Sequence, residues 1–184
     1  MVIEQPAWVQ EAVDWTRSYV TDEERIRLTI ALARENVVRE AAGPFGAAVF
    51  ERGTGRLVAV GVNSVVRLRS SVLHGEMMAF ILAQERTGSF SLAAPGLPAH
   101  ELATSCEPCA MCLGATLWSG VKRLVFAAHR EDAEDLGFDE GPVFAASYQY
   151  LRERGIEIVG GLLREEARAV FTLYRSRGGL IYNA

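Results

Sequence analysis

Cysteine is scarce in this sequence, with three residues in 184, and all three fall at Cys106, Cys109 and Cys112 in the stretch "TSCEPCAMCLGA". A disulfide scaffold spreads its cysteines, and structural thiols scatter as small buried hydrophobes. Neither produces this cluster, whereas a soft divalent metal does. Histidine is equally rare, at His74, His100 and His129. No apolar run reaches the roughly 18 residues of a spanning helix, so no membrane partner is expected. The opening "MVIEQPAWVQEAVDW" has acids at Glu4, Glu11 and Asp14 and no basic segment ahead of an apolar one. That is not the pattern of a secretory signal, and the expected compartment is the cytoplasm. A basic face is missing as well. The net charge is −4, and "VRLRSS" and "YRSRGG" are too short to track a phosphate backbone, so they read as solvated surface and no nucleic-acid partner is expected.

What is present is ordinary globular material. A hydrophobic share of 49% and a charged share of 23% exclude disordered and collagen-like chains, and the absence of repeats or linkers predicts one domain over residues 1–184. "PAWVQEAVDWTRSYV" predicts a leading amphipathic helix. Thr21-Asp22-Glu23-Glu24 has the form of a capping box and predicts a second helix that runs to Gly43-Pro44. "FGAAVFE" and "RLVAVGVN", joined by Arg52-Gly53-Thr54-Gly55, predict a β-hairpin. Helices over 74–88, 108–120, 141–155 and 164–179 then alternate with strands over 101–105, 122–128 and 156–163. The expected fold class is α/β, a mixed sheet of about five strands covered by helices, with an antiparallel hairpin first and parallel strands later.

The chemistry concentrates at two predicted helix starts. Pro108 suits the first turn of a helix, which puts Cys109 and Cys112 three residues apart on one face. A helix N-terminus favours their thiolates, and two thiolates balance a divalent cation. His74 opens another helix and supplies a third ligand, with the fourth tetrahedral position left for water, the pattern of catalytic rather than structural zinc. Glu76, two residues on, is placed to move protons. A closed structural knuckle is the alternative, with Cys106 as a fourth ligand; otherwise Cys106 is a buried thiol at a strand end. His100 and His129 read as structural.

His74-Gly75-Glu76 and Pro108-Cys109-Ala110-Met111-Cys112 reproduce the H-x-E and P-C-x-x-C signature of zinc-dependent nucleobase deaminases. From about residue 43 to the end the chain resembles the bacterial guanine deaminases, through "GPFGAAVFERGTG", "GVNSVV", "TSCEPCAMCLGATLWSGVKRLVFAA", "EDLGFDEGP" and "GLIYNA". That resemblance implies the cytidine deaminase-like three-layer α/β/α sandwich, one Zn²⁺ per chain, and hydrolysis of guanine by water to xanthine and ammonia. It implies further that Phe45 stacks on the purine and Asn63 binds its edge. Trp118 would line the pocket beside Asp139, Glu140 would act as a second catalytic acid, and the tail near Tyr182 would close the site. Family members pair as homodimers, with a segment of about 160–184 open to exchange between subunits. "LHGE" is shared with fungal cytosine deaminases, which keeps cytosine, an aminotriazine such as ammeline, or a pterin as alternative substrates. A tRNA adenosine deaminase is disfavoured by the acidic charge and the long C-terminal segment, and a non-enzymatic zinc module by Glu76.

Overall fold

The computed structural model describes residues 3–183. Strands β1 (Gly46–Glu51) and β2 (Leu57–Val62) form the expected antiparallel hairpin, and β1 pairs antiparallel on its other side with β3 (His100–Cys106). Strands β4 (Arg123–Ala128) and β5 (Glu157–Val159) continue in parallel, which gives one mixed sheet ordered β2-β1-β3-β4-β5. The helices are α1 (Trp8–Ala12), α2 (Asp22–Glu40), α3 (Val65–Leu68), α4 (Gly75–Thr87), α5 (Ala110–Ser119), α6 (Arg130–Glu134), α7 (Ala145–Glu153) and α8 (Arg164–Ser176).

Alternation along the strands creates the layers. On β1, Ala48 and Phe50 join the core with Ile26 and Ala33 of α2 and Val170 and Phe171 of α8. Ala47 and Val49 point the other way, into a second core with Phe80 of α4, Leu113 of α5 and Leu151 of α7. The three-layer sandwich is therefore present.

Local chemistry fixes the ends of these elements. The capping box is formed: the Glu24 amide donates to the Thr21 hydroxyl at 3.2 Å and the Thr21 amide to the Glu24 carboxylate at 3.1 Å. Arg25 of α2 pairs with buried Glu101 at 2.6 Å, and Arg123 of β4 reaches Asp22 at 2.6 Å, so the helix start is pinned to the N-terminal ends of β3 and β4. Asp132 of α6 accepts from Arg164 at 2.8 and 2.9 Å and fastens α8.

Several boundaries differ from the sequence reading. The leading helix stops at Ala12, because Asp14 takes the Thr16 amide at 3.0 Å in a turn of its own and Ser18 then bridges to Arg56. Helix α2 ends at Ala41 in the left-handed region, ahead of Gly43-Pro44. Strand β5 is short, since the chain leaves the sheet at Gly160 with its backbone against the Phe126 ring. His100 belongs to β3 and is not in a loop; its Nδ1 lies 2.8 Å from the Leu92 carbonyl. Pro108 precedes the α5 cap, which is Cys109 itself. The short helices α3 and α6 had no periodicity to announce them.

Helix α4 sits unusually close to the hairpin. A Cβ built on Gly61 would lie 2.0 Å from the Gly75 carbonyl oxygen and 2.5 Å from the Ala79 nitrogen. Both obstacles are backbone, so α4 would have to move. Gly61→Ala is expected to cost about 3 kcal/mol, a fall in Tm of roughly 6–12 °C, and to weaken zinc retention because α4 begins at His74. Thermal unfolding and metal analysis of the variant check this; a Tm within about 2 °C of the parent contradicts it.

Candidate active site

Two helix starts converge. His74 caps α4 and Cys109 caps α5, both with extended backbone, and Cys112 stands in the first turn of α5. The Cys109 Sγ lies 3.5 Å from the His74 Nδ1. One ligand atom from each of His74, Cys109 and Cys112 falls within 4.8 Å of the other two. Bonds of about 2.0–2.3 Å around a tetrahedral ion set ligand atoms about 3.5 Å apart, so the donor set fits zinc after small adjustment. The two cysteine sulfurs are soft donors, and both helix N-termini favour anions there. Cys106 stays outside this cluster, buried at the end of β3 with its thiol toward the His129 carbonyl at 3.6 Å.

Electrostatics mark the same place. Hydrogen bonding from the Cys112 thiol, with help from His74, holds Cys109 down to about 4 despite its burial. The same coupling raises Cys112, so the two sulfurs titrate as a pair. Burial lowers His74, but the Cys109 sulfur and the nearby carboxylates more than offset it and leave the imidazole above its ordinary value. Burial also pushes Glu76 up to about 6 and Glu140 up to about 8, the latter helped by the negative charges of Cys109 and Glu76.

Glu76, Glu140, His74, Cys109, Phe45 and Tyr182 line one inner cavity, which Cys106, Glu107 and Asn183 complete. Its free volume is about 10 Å³, the space of a single water. Outside it opens a mouth of about 330 Å³ between Ser71 and the turn at Asp139 and Glu140. Phe45 packs edgewise on Phe138 and Phe171, with ring centroids 5.1 and 5.7 Å away. Asn63, fully buried just past β2, donates its amide to the Tyr182 hydroxyl at 2.7 Å. Asp139 is exposed; its carboxylate takes the Gly141 amide at 2.8 Å and shapes the turn that presents Glu140.

Trp118 is not in this cavity. It is 78% exposed on the last turn of α5, nine residues beyond Cys109 and so about 13 Å along the helix axis. Tyr182 and Asn183 of the tail line the cavity, and α8 packs on the sheet through Val170 and Phe171. Glu107 and Asn183 were overlooked in the sequence. Glu107 stands between Cys106 and Pro108, where no local pattern marks it, and Asn183 stands beside Tyr182.

Comparison with known proteins agrees with the geometry. Residues 20–128 match the cytidine and deoxycytidylate deaminase zinc-binding region. The guanine deaminase of Bacillus subtilis (strain 168) is 34% identical over 131 residues, 71% of this chain and 80% of that protein. A solved structure of guanine deaminase from Nitrosomonas europaea superposes with a TM-score of 0.91 at 43% identity, covering 96% of each chain. Another, solved with 2,6-diaminopurine, gives 0.92 at 44% identity over 99% of this chain and 96% of that one. The chain belongs to the zinc-binding cytidine and deoxycytidylate deaminase family.

Proposed function

We propose that this protein hydrolyses guanine to xanthine and ammonia, with His74, Cys109 and Cys112 as zinc ligands and Glu76 and Glu140 as the proton-transferring acids. The observation that carries the reading is the second buried carboxylate. Glu140 lines the same cavity as Glu76 and the ligand cluster, and a guanine ring, with an N1–H and an exocyclic amine to satisfy, needs more than one acceptor. The reading is supported by similarity to guanine deaminases over 71% and 96% of this chain. A zinc ion held by His74, Cys109 and Cys112 would supply Lewis acidity that activates water at neutral pH.

The chain's own residues do the rest. Water adds its oxygen to C2, and Glu76 takes the released proton and passes it to the adjacent ring nitrogen. The remaining hydroxyl proton moves to the exocyclic nitrogen as the C2–N bond breaks, the C2=O bond forms and ammonia leaves. Glu140 accepts from the substrate's N–H groups beforehand and assists this departure. Phe45 gives the ring an aromatic face and Asn63 reads its edge. With Asn63 engaged by Tyr182 and only a water's volume inside, the tail at Tyr182 and Asn183 must withdraw to admit the base and return over it.

Gly75 does not choose the ring. A Cβ there would face the Gly61 and Phe45 carbonyls at 3.4 Å and Gly46 Cα at 3.5 Å, that is, the hairpin backbone and not the cavity. The likeness of "LHGE" to cytosine deaminases therefore says little about the substrate.

The three free thiols suit a reducing cytoplasm, and no helix of the described residues is long and apolar enough to cross a membrane. A homodimer is the proposed assembly. An apolar groove of about 420 Å³ between α5 and α7 runs past Leu117 and Tyr150, and exposed Trp118 on α5 adds a large apolar surface. Trp118→Arg is expected to shift the particle to monomer mass in light scattering; an unchanged dimer would remove α5 from the interface.

Ammonia release across guanine, cytosine, adenine, ammeline and isoxanthopterin tests the substrate, with guanine expected to give the highest kcat/KM. Preference for cytosine would overturn the purine reading. Elemental analysis should find about one zinc per chain, lost together with activity in Cys109→Ala. Glu76→Gln should retain metal and fold while kcat falls roughly 10²–10⁴-fold. Glu140→Gln should lower guanine turnover at least about 10²-fold with zinc in place, and Asp139→Asn should do much less. A Glu140→Gln enzyme within a few-fold of the parent would end the two-acid mechanism.

A further inference from the structure

Glu140 sits on the connection between α6 and α7, outside any regular element, yet an acid that must meet both substrate and leaving group requires a fixed position. Three hydrogen bonds supply one. The Ala110 amide, at the first turn of α5, donates to the Glu140 carbonyl at 2.9 Å. The Arg130 guanidinium reaches the Val143 carbonyl at 3.4 Å. The Tyr148 hydroxyl, one turn into α7, donates to Glu107 at 2.5 Å.

Glu107 joins two of these. Its other carboxylate oxygen accepts the Arg130 backbone amide at 3.0 Å and stands 3.5 Å from the His129 Nδ1. Glu107 is itself bound by its amide to the Ala128 carbonyl at 2.8 Å, at the ends of β3 and β4, and is nearly buried. It touches the inner cavity, and both of its oxygens are engaged by the protein, one by Tyr148 and the other by the Arg130 amide, so its orientation is set by the fold.

We infer that Glu107 and Tyr148 are positioning residues for Glu140: a carboxylate rooted beside the zinc ligands grips α7 and, through it, the turn that carries the second acid. The inference rests on the assignment of Glu140 as that acid. The sequence gives it a simple logic. Glu107 lies two residues before Cys109, so the strand end that delivers the first metal-binding sulfur also anchors the segment that delivers the proton-transfer group.

A double-mutant cycle separates this from a merely structural role. Tyr148→Phe removes one hydroxyl from a ring that otherwise keeps its packing. It should lower guanine kcat about tenfold with KM within about twofold and full zinc content. Amide hydrogen exchange should quicken over residues 141–146 while β3 and α5 stay as protected as before. Glu107→Gln should reproduce the loss of kcat. In a Glu140→Gln background, Tyr148→Phe should change kcat by less than about twofold, because the group it positions is gone. An equal tenfold loss in both backgrounds, an effect confined to KM, or unchanged exchange over 141–146 would overturn the inference. If Glu140→Gln alone leaves kcat intact, the assignment of the second acid has failed and this inference falls with it; loss in Glu140→Gln with additive Tyr148→Phe defeats the positioning role alone.

Discussion

The site exists because two helices begin at the same point in space. His74 and Cys109 are both cap residues, 3.5 Å apart, and their meeting depends on how closely α4 can lie on the hairpin. At Gly61 the approach leaves no room for a methyl group. On the opposite face a Cβ at Gly46 would lie 2.5 Å from the Thr29 carbonyl, so α2 presses equally close. Tight packing on both faces of the hairpin makes the position of α4 a property of the core, and His74 at its start inherits that rigidity.

The same geometry gathers like charges. Cys109, Glu76 and Glu140 are buried together, and the upward displacement of Glu140 comes first from that burial and then from the neighbouring negative charges. Uncompensated buried anions are expensive. A divalent cation at His74, Cys109 and Cys112 would convert that repulsion into attraction, and metal binding and folding would then draw on one free energy. Buried carboxylates elsewhere have a cationic partner, as Glu101 has Arg25 and Asp132 has Arg164, whereas Glu76 and Glu140 have no arginine or lysine among the residues that line their cavity.

How much of this was legible depended on whether the signal was local. The capping box at Thr21 and Glu24, the hairpin turn at 52–55 and the ligand spacing of Cys109 and Cys112 are written within a few residues, and they predicted α2, β1, β2 and the metal cluster. The early stop of α1 depended on an Asp14–Thr16 turn that competes with helical periodicity, and β5 was cut short by an encounter between Gly160 and Phe126 that no local pattern carries. Trp118 shows where the single chain and the resemblance differ. Family likeness placed it in the pocket, whereas on a single chain the length of α5 alone carries it to the surface.

Glu107 shows why a site is harder to read than its ligands. Its neighbours in sequence are a buried thiol and a proline that leads to a metal-binding cap, so its own partners, Tyr148 and Arg130, are visible only once β4, α6 and α7 have folded around it. Ligand spacing is encoded by one turn of one helix. The position of an acid on a loop is encoded by everything that grips the loop, here a strand end, an arginine on α6 and a tyrosine on α7. The two cysteines of the cluster are therefore close in sequence, whereas His74 comes from another helix and the groups that grip the Glu140 turn are dispersed, and a local spacing captures the cysteine pair but not that grip.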